Sequence, residues 1–178
     1  MTEWADGSAA TEGFKRVAAI ADGKSSEQEI VRDRMTGGEE IDFELIELLF
    51  FAYRDFISDP DAILLKKGFG RAHHRVVHFV NRNPGMTVAD LLETLRITKQ
   101  SLARVLKQLI DSGYICQLEG PEDRRQRRLY PTKAGRALAL ELAKPQSRRI
   151  AKAMSGREKE MRETVLGFLG GMRDGGDR

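Results

Sequence analysis

The 178-residue chain has little of what would assign it at once to several large classes of protein. Its one cysteine, Cys116, cannot form an internal disulfide bond or a multi-cysteine metal site. No apolar run approaches the roughly 18 residues that cross a membrane. The acidic, polar N-terminus has neither the basic nor the apolar part of a secretion signal. These absences favour a cytoplasmic globular protein, with no membrane as a partner.

Catalytic motifs are also missing. G-x-S-x-G, H-E-x-x-H, the phosphate-binding loop and G-x-G-x-x-G do not occur in a suitable context. Ser101 has no sequence partner that would activate it as a nucleophile. Aromatic residues, at 7% of the chain, are too few for a large aromatic cage around a cofactor. We therefore expect no enzyme, no catalytic residues, no required cofactor and no metal.

Positive charge, in contrast, is concentrated in one part of the chain. Between Arg71 and Arg136 there are 13 Lys and Arg residues against 6 Asp and Glu, a net charge of +7, whereas the rest of the chain carries −4. Such a basic segment is the electrostatic signature of a module that binds duplex DNA.

The most informative segment within it is 98–115, TKQSLARVLKQLIDSGYI, which the spacing predicts to be one amphipathic helix. Its apolar residues recur at the interval of a helix packed on a core, namely Leu102, Val105, Leu106, Leu109 and Ile110. Its other side chains are rich in donors suited to phosphates and purine edges, namely Thr98, Lys99, Gln100, Ser101, Arg104, Lys107 and Gln108. Gln100 and Arg104 are the preferred base-contacting residues.

A second, shorter helix precedes it. Thr87 is a predicted N-cap with Asp90 as its capping-box partner, and 88–95 follows as a helix. Arg96 and Ile97 form a tight turn before Thr98 caps the next helix. Two helices joined by so short a turn predict a helix-turn-helix, whose second helix lies in the major groove.

Downstream, 114–119 and 127–130 predict two strands of a hairpin whose long tip carries arginines. The candidate DNA contacts there are Arg124, Arg125, Arg127 and Arg128. Asp123 is expected to orient Arg125 through a bidentate pair, because a carboxylate facing phosphate is repelled. Arg124 is then free to enter the minor groove.

Helices are also predicted outside this region. One spans 41–57 with apolar residues on more than one face and ends at 58–61, where Pro60 removes a backbone donor. Others span 71–81 and 133–143, the latter bent or restarted at Pro145, and a last helix follows a capping box at 155–158.

The order of these elements resembles the MarR family of winged helix-turn-helix regulators. The segments that carry the resemblance are 97–106 (ITKQSLARVL), 109–115 (LIDSGYI), Asp123-Arg124-Arg125 as the wing signature, and 129–135 (LYPTKAG). It covers about residues 40–172. It implies a mainly α-helical fold with a small β-hairpin wing, and a regulator, expected to be a repressor, that acts as a homodimer on a pseudo-palindromic DNA operator.

The resemblance also suggests a division of the chain. We expect an N-terminal extension at 1–39, a first dimerisation helix and linker at 40–69, a winged helix-turn-helix at 70–131, and C-terminal dimerisation helices with a frayed tail at 132–178. The expected dimer interface comprises Ile41, Leu45, Leu48, Leu49, Val165, Phe168, Leu169 and Met172. A small-molecule effector pocket is implied near Tyr53, His74 and His78.

Three alternatives stay open. His74 and His78 are four residues apart, but no third ligand on that helix completes a metal site, so helix packing or pocket lining is preferred. Cys116 lies among apolar residues and is treated as a small hydrophobic residue rather than a redox sensor. A winged-helix adaptor that binds protein instead of DNA is the third alternative, and the wing arginines argue against it.

Overall fold

The computed structural model describes residues 41–120, 126–156 and 158–173. The predicted extension at 1–39 and the wing-tip residues Asp123, Arg124 and Arg125 lie outside the described residues, so the expectations for them stay predictions. The chain divides into two compact units, Met1–Leu48 and Leu49–Arg178. The first is described only at 41–48, which contains the start of the first helix.

The described part is mainly helical with one β-hairpin, which confirms the predicted fold class. Its helices are α1 (Phe43–Leu65), α2 (Arg71–Arg82), α3 (Val88–Leu95), α4 (Lys99–Asp111), α5 (Lys133–Met154) and α6 (Glu158–Gly171). Strands β1 (Ile115–Glu119) and β2 (Arg127–Pro131) pair antiparallel, with Cys116 opposite Tyr130 and Glu119 opposite Arg127.

The predicted end of α1 at 58–61 is wrong, because the helix continues through Pro60 to Leu65. Pro60 has no N–H to donate to the carbonyl of Phe56 one turn earlier. The side chain of Gln146 on α5 approaches instead, with its Nε2 3.4 Å from that carbonyl oxygen. Burial of Pro60 and this replacement donor let the helix pass the proline. Helix α5 is one continuous helix over the predicted 133–143 segment and the residues after Pro145, with that proline inside it.

Helix α2 lies at the centre of the unit and contacts α3, α4, α5 and β2. Its Val76 and Val80 are fully buried. The same core contains Leu91 of α3 and Leu129 of β2. The helix-turn-helix therefore rests on α2 as its scaffold.

The junction between the hairpin and α5 depends on two residues. Thr132 caps α5 by accepting the N–H of Gly135 at 3.0 Å, and its hydroxyl donates to the carbonyl of Gly113 at 2.6 Å. A Cβ on Gly135 would lie 2.0 Å from the carbonyl oxygen of Tyr114. Only glycine allows so close an approach between the first turn of α5 and the chain entering β1.

Candidate nucleic-acid interface

Helix α4 is shorter than the predicted 98–115, ending at Asp111. Gly113 adopts a φ of +73°, and Ile115 already belongs to β1. The left-handed glycine, one residue past the C-cap Ser112, terminates the helix. The predicted apolar stripe is confirmed. Leu102 and Leu109 are fully buried, and Val105 and Leu106 are nearly so.

The other side of α4 is exposed. Thr98 caps the helix by accepting the N–H of Ser101 at 3.2 Å. Five further residues predicted to contact DNA stand exposed on the first three turns, namely Lys99, Gln100, Ser101, Arg104 and Lys107. Gln100 and Arg104 are four residues apart and therefore share a face of the helix. Lys107 Nζ lies 2.6 Å from the carboxylate of Asp111, so part of its charge is compensated locally.

The side chain of Gln108 has a partner within the chain, although the sequence pattern placed it among the donors that face away from the core. Its Oε1 lies 2.7 Å from Nε2 of His73 on α2. His73 is buried and stacks on Phe69, with 4.7 Å between the ring centroids. The sequence suggested metal binding, helix packing or pocket lining for the histidines of this helix, and no motif pointed to this contact between helices.

Arg75 makes a second polar contact from α2 to the helix-turn-helix. Its Nη2 donates to the carbonyl of Leu95 at 2.8 Å. Leu95 is the last residue of α3, where helix carbonyls lack partners inside the helix. The next residue, Arg96, has a left-handed φ of 48° and turns the chain toward α4. Arg75 thus holds the turn between the two helices, a role that no pattern in the sequence indicated.

The hairpin presents its two described arginines differently. Arg127 is exposed and pairs with Glu119 across the strands at 3.3 Å. Arg128 is half-buried, and its Nε is buried with no hydrogen-bond partner among the described residues. It lies opposite Thr87, the N-cap of α3, in an isolated β-bridge. The two arginines therefore alternate in exposure, as expected for neighbouring strand residues.

The histidines of α2 that suggested a pocket lie beside charged neighbours. Burial lowers the pKa of His74, as does His78, while Asp61 opposes the shift. Burial also lowers the pKa of His78, with a contribution from Arg82. In the described residues, no group of three or more His, Cys, Asp or Glu side chains is placed to hold a metal ion.

A groove of about 930 Å³ lies between the second half of α1 and α5, with Ile63 and Leu140 among its lining residues. Tyr53, His74 and His78, the predicted effector pocket, do not line this groove. Tyr53 is exposed on α1, and the effector pocket stays a prediction.

The residues predicted for the dimer interface are accessible in the single chain. In the 41–48 segment, Leu45 and Leu48 are exposed and Ile41 is half-buried. In the second unit, Phe168, Leu169 and Met172 are exposed, and Leu49 and Val165 are half-buried. Cys116 is half-buried, and its thiol lies 3.6 Å from the carbonyl oxygen of Tyr130. No helix in the described ranges combines the length and the apolar character needed to cross a membrane.

A capped helix exposing donors, a preceding helix joined by a tight turn and a following hairpin define a winged helix-turn-helix. Residues 67–126 match the model of the MarR family. The chain is 50% identical over 108 residues to the HTH-type transcriptional regulator PetP of Rhodobacter capsulatus. This alignment covers 61% of this chain and 65% of PetP. It is 27% identical over 90 residues to the uncharacterized HTH-type transcriptional regulator YybA of Bacillus subtilis, covering 51% of this chain and 60% of YybA.

Solved structures show the same fold. FabT of Streptococcus pneumoniae, in complex with DNA, aligns with a TM-score of 0.63 at 19% identity over 72% of this chain and 92% of FabT. A putative MarR family regulator of Listeria monocytogenes, complexed with 26mer DNA, aligns with a TM-score of 0.60 at 17% identity over 74% of this chain and 85% of that regulator. The resemblance to the MarR family is confirmed. The match to the MarR family model covers about a third of the chain, and the chain spans less than two thirds of the length of the curated relatives it matches.

Proposed function

We propose that the protein is a sequence-specific regulator that binds double-stranded DNA as a homodimer on a pseudo-palindromic operator. The observation that carries the proposal is the two-sided character of α4. One side is fully buried at Leu102 and Leu109, and the other exposes Gln100 and Arg104 next to a capped N-terminus. A helix presented in this way is suited to the major groove.

The roles follow from the position along α4. Unpaired backbone N–H groups and the helix dipole favour phosphate near Thr98 and Ser101. The Thr98 oxygen accepts the N–H of Ser101 and keeps its own hydrogen for a phosphate oxygen. Gln100 suits adenine and Arg104 suits guanine in the major groove. Exposed Arg127 supplies charge at the base of the wing.

Similarity supports the same function. Two relatives are named as transcriptional regulators, and two proteins of the same fold were solved with DNA. We further propose repression, with release by a small molecule bound near Tyr53, His74 and His78. A promoter that carries the operator should lose activity when the protein is present. A ligand screen should then find compounds that lower operator occupancy without unfolding the protein.

The decisive experiment is selection of duplexes from a randomised pool by the full chain. The expected result is an inverted repeat whose half-sites lie about 34–36 Å apart, one helical turn. Light scattering should give a dimer at micromolar concentration. Failure to enrich any sequence, with no salt-dependent binding to DNA, would favour the protein-binding adaptor instead.

A further inference from the structure

The contact between His73 and Gln108 joins the scaffold helix to the DNA-reading helix through side chains. The backbone N–H of Gly70 donates to Nδ1 of His73 at 3.1 Å. An imidazole that accepts at Nδ1 carries its hydrogen on Nε2. That hydrogen then points to Oε1 of Gln108 at 2.7 Å. Both ring nitrogens are thus used, and stacking on Phe69 holds the ring plane.

Gln108 belongs to the same row of α4 as the proposed base-contacting residues. Gln100, Arg104 and Gln108 follow one another at intervals of four, so they lie along one stripe of the helix surface. His73 holds the last member of that stripe. A helix moves as a rigid body over this distance, and the anchor therefore restricts its rotation about its own axis.

Small rotations matter for contacts to bases. With side-chain tips about 5–6 Å from the axis, a rotation of about 10° moves a tip by roughly 1 Å. Hydrogen bonds from N–H groups fall within about 2.7–3.2 Å, so such a shift breaks a bidentate contact. A flexible lysine that acts on phosphate as a point charge tolerates the same shift.

We propose that His73 is a positioning residue for DNA sequence recognition, acting through Gln108 to fix the rotation of α4. This rests on the proposed function, because it assumes that Gln100 and Arg104 contact bases. The inference separates specificity from affinity. Loss of the anchor should weaken binding to the operator and spare binding to unrelated DNA.

The test uses the full chain with two probes, the duplex selected from the randomised pool and a scrambled duplex of equal length. His73→Phe keeps a ring to stack on Phe69 but removes both hydrogen bonds. Gln108→Met keeps the side-chain length without a hydrogen bond or a change of charge. Gln146→Met is the matched control, because Gln146 contacts α1 rather than the DNA-reading helix.

Either single variant should lose about 10-fold in operator affinity, within the discrimination that one bidentate base contact provides. Scrambled DNA should change less than about 2-fold. The double variant should lose no more than the worse single variant, since both remove one contact. Gln146→Met should leave the ratio of the two affinities unchanged.

The positioning role would be overturned by equal losses on both duplexes or by additive losses in the double variant. It would also be overturned if Gln108→Met lost operator affinity while a folded His73→Phe variant bound like the wild type. Thermal unfolding reports separately whether His73→Phe is folded. If it is not, an unchanged ratio of operator to scrambled affinity in Gln108→Met still overturns the positioning role. A wild-type protein that prefers no sequence would contradict the proposed function itself, and the inference with it.

Discussion

Helices α4 and α6 have similar apolar content but opposite surroundings. In α4, Leu102 and Leu109 are fully buried within the chain. In α6, Phe168 is 42% exposed and Leu169 is 48% exposed. An apolar stripe of α4 thus has its partners in the same chain, whereas that of α6 is left largely open to solvent.

The difference shows which part of the protein buries its apolar side chains within a single chain and which part does not. The helix-turn-helix and hairpin are held by a contiguous core around α2, so their geometry is determined locally. Exposed apolar patches of this kind mark interaction surfaces. The open side of α6 therefore supports the proposed homodimer, in which a second copy supplies the missing contacts.

Truncation of leucines in the two helices should show the largest contrast. Leu109→Ala removes a fully buried side chain and should lower the free energy of unfolding by about 2–5 kcal/mol. Leu169→Ala removes a half-exposed side chain and should lower the free energy of unfolding by less than half as much. Urea denaturation measures both variants, at a protein concentration low enough for a dimer to dissociate. Equal losses would show that burial in the single chain does not set their contributions.

Two glycines should respond to the same change with opposite signs. Gly135→Ala brings a Cβ to 2.0 Å from a backbone oxygen that cannot move easily, so we expect a loss of about 1–3 kcal/mol from overpacking. Gly167 in α6 has no atom of the described residues within 4 Å of the position that a Cβ would take. Gly167→Ala should therefore gain up to about 1 kcal/mol from helix propensity. Thermal unfolding of both variants checks the signs, and a stable Gly135→Ala protein would contradict the close approach.

Substitution of one arginine on each of the two helices should distinguish DNA sequence recognition from a general effect of positive charge. Arg104→Ala should weaken operator binding by about 1–3 kcal/mol and relax the preference at one base position. Arg162→Ala removes the same charge from exposed α6 and should have little effect. Fluorescence anisotropy with selected and scrambled duplexes measures both. An equal loss for Arg104→Ala on the two duplexes would reduce Arg104 to a phosphate contact.

Much of this arrangement could be predicted from the sequence because it depends on local signals. Thr87 and Thr98 cap their helices as their positions indicate, with Asp90 returning the second bond of the capping box to the Thr87 N–H. Such signals involve residues within a few positions of one another, so one segment is enough to recognise them.

The errors and omissions involve residues distant in the chain. Pro60 predicted a helix end, and only the approach of Gln146, 86 residues later, shows why the helix continues. His73 reaches Gln108 across 35 residues, and Arg75 reaches Leu95 across 20. No periodicity or motif encodes these contacts, because they depend on how the helices pack.

The smallest expected effect concerns pH and two histidines of α2, His74 and His78. Burial lowers the pKa of His74 and His78 below the ordinary value of 6.5, so the folded state binds protons less readily than the unfolded state. Stability is therefore fully present above pH 6.5 and declines as the pH falls through the folded-state values. Because both side chains are only partly buried, the decline should be modest. Urea denaturation between pH 8 and pH 5 should show it. His74→Gln with His78→Gln should flatten the difference, since glutamine does not titrate. An unchanged slope in the double variant would assign the pH dependence to other groups, with the carboxylates first among them.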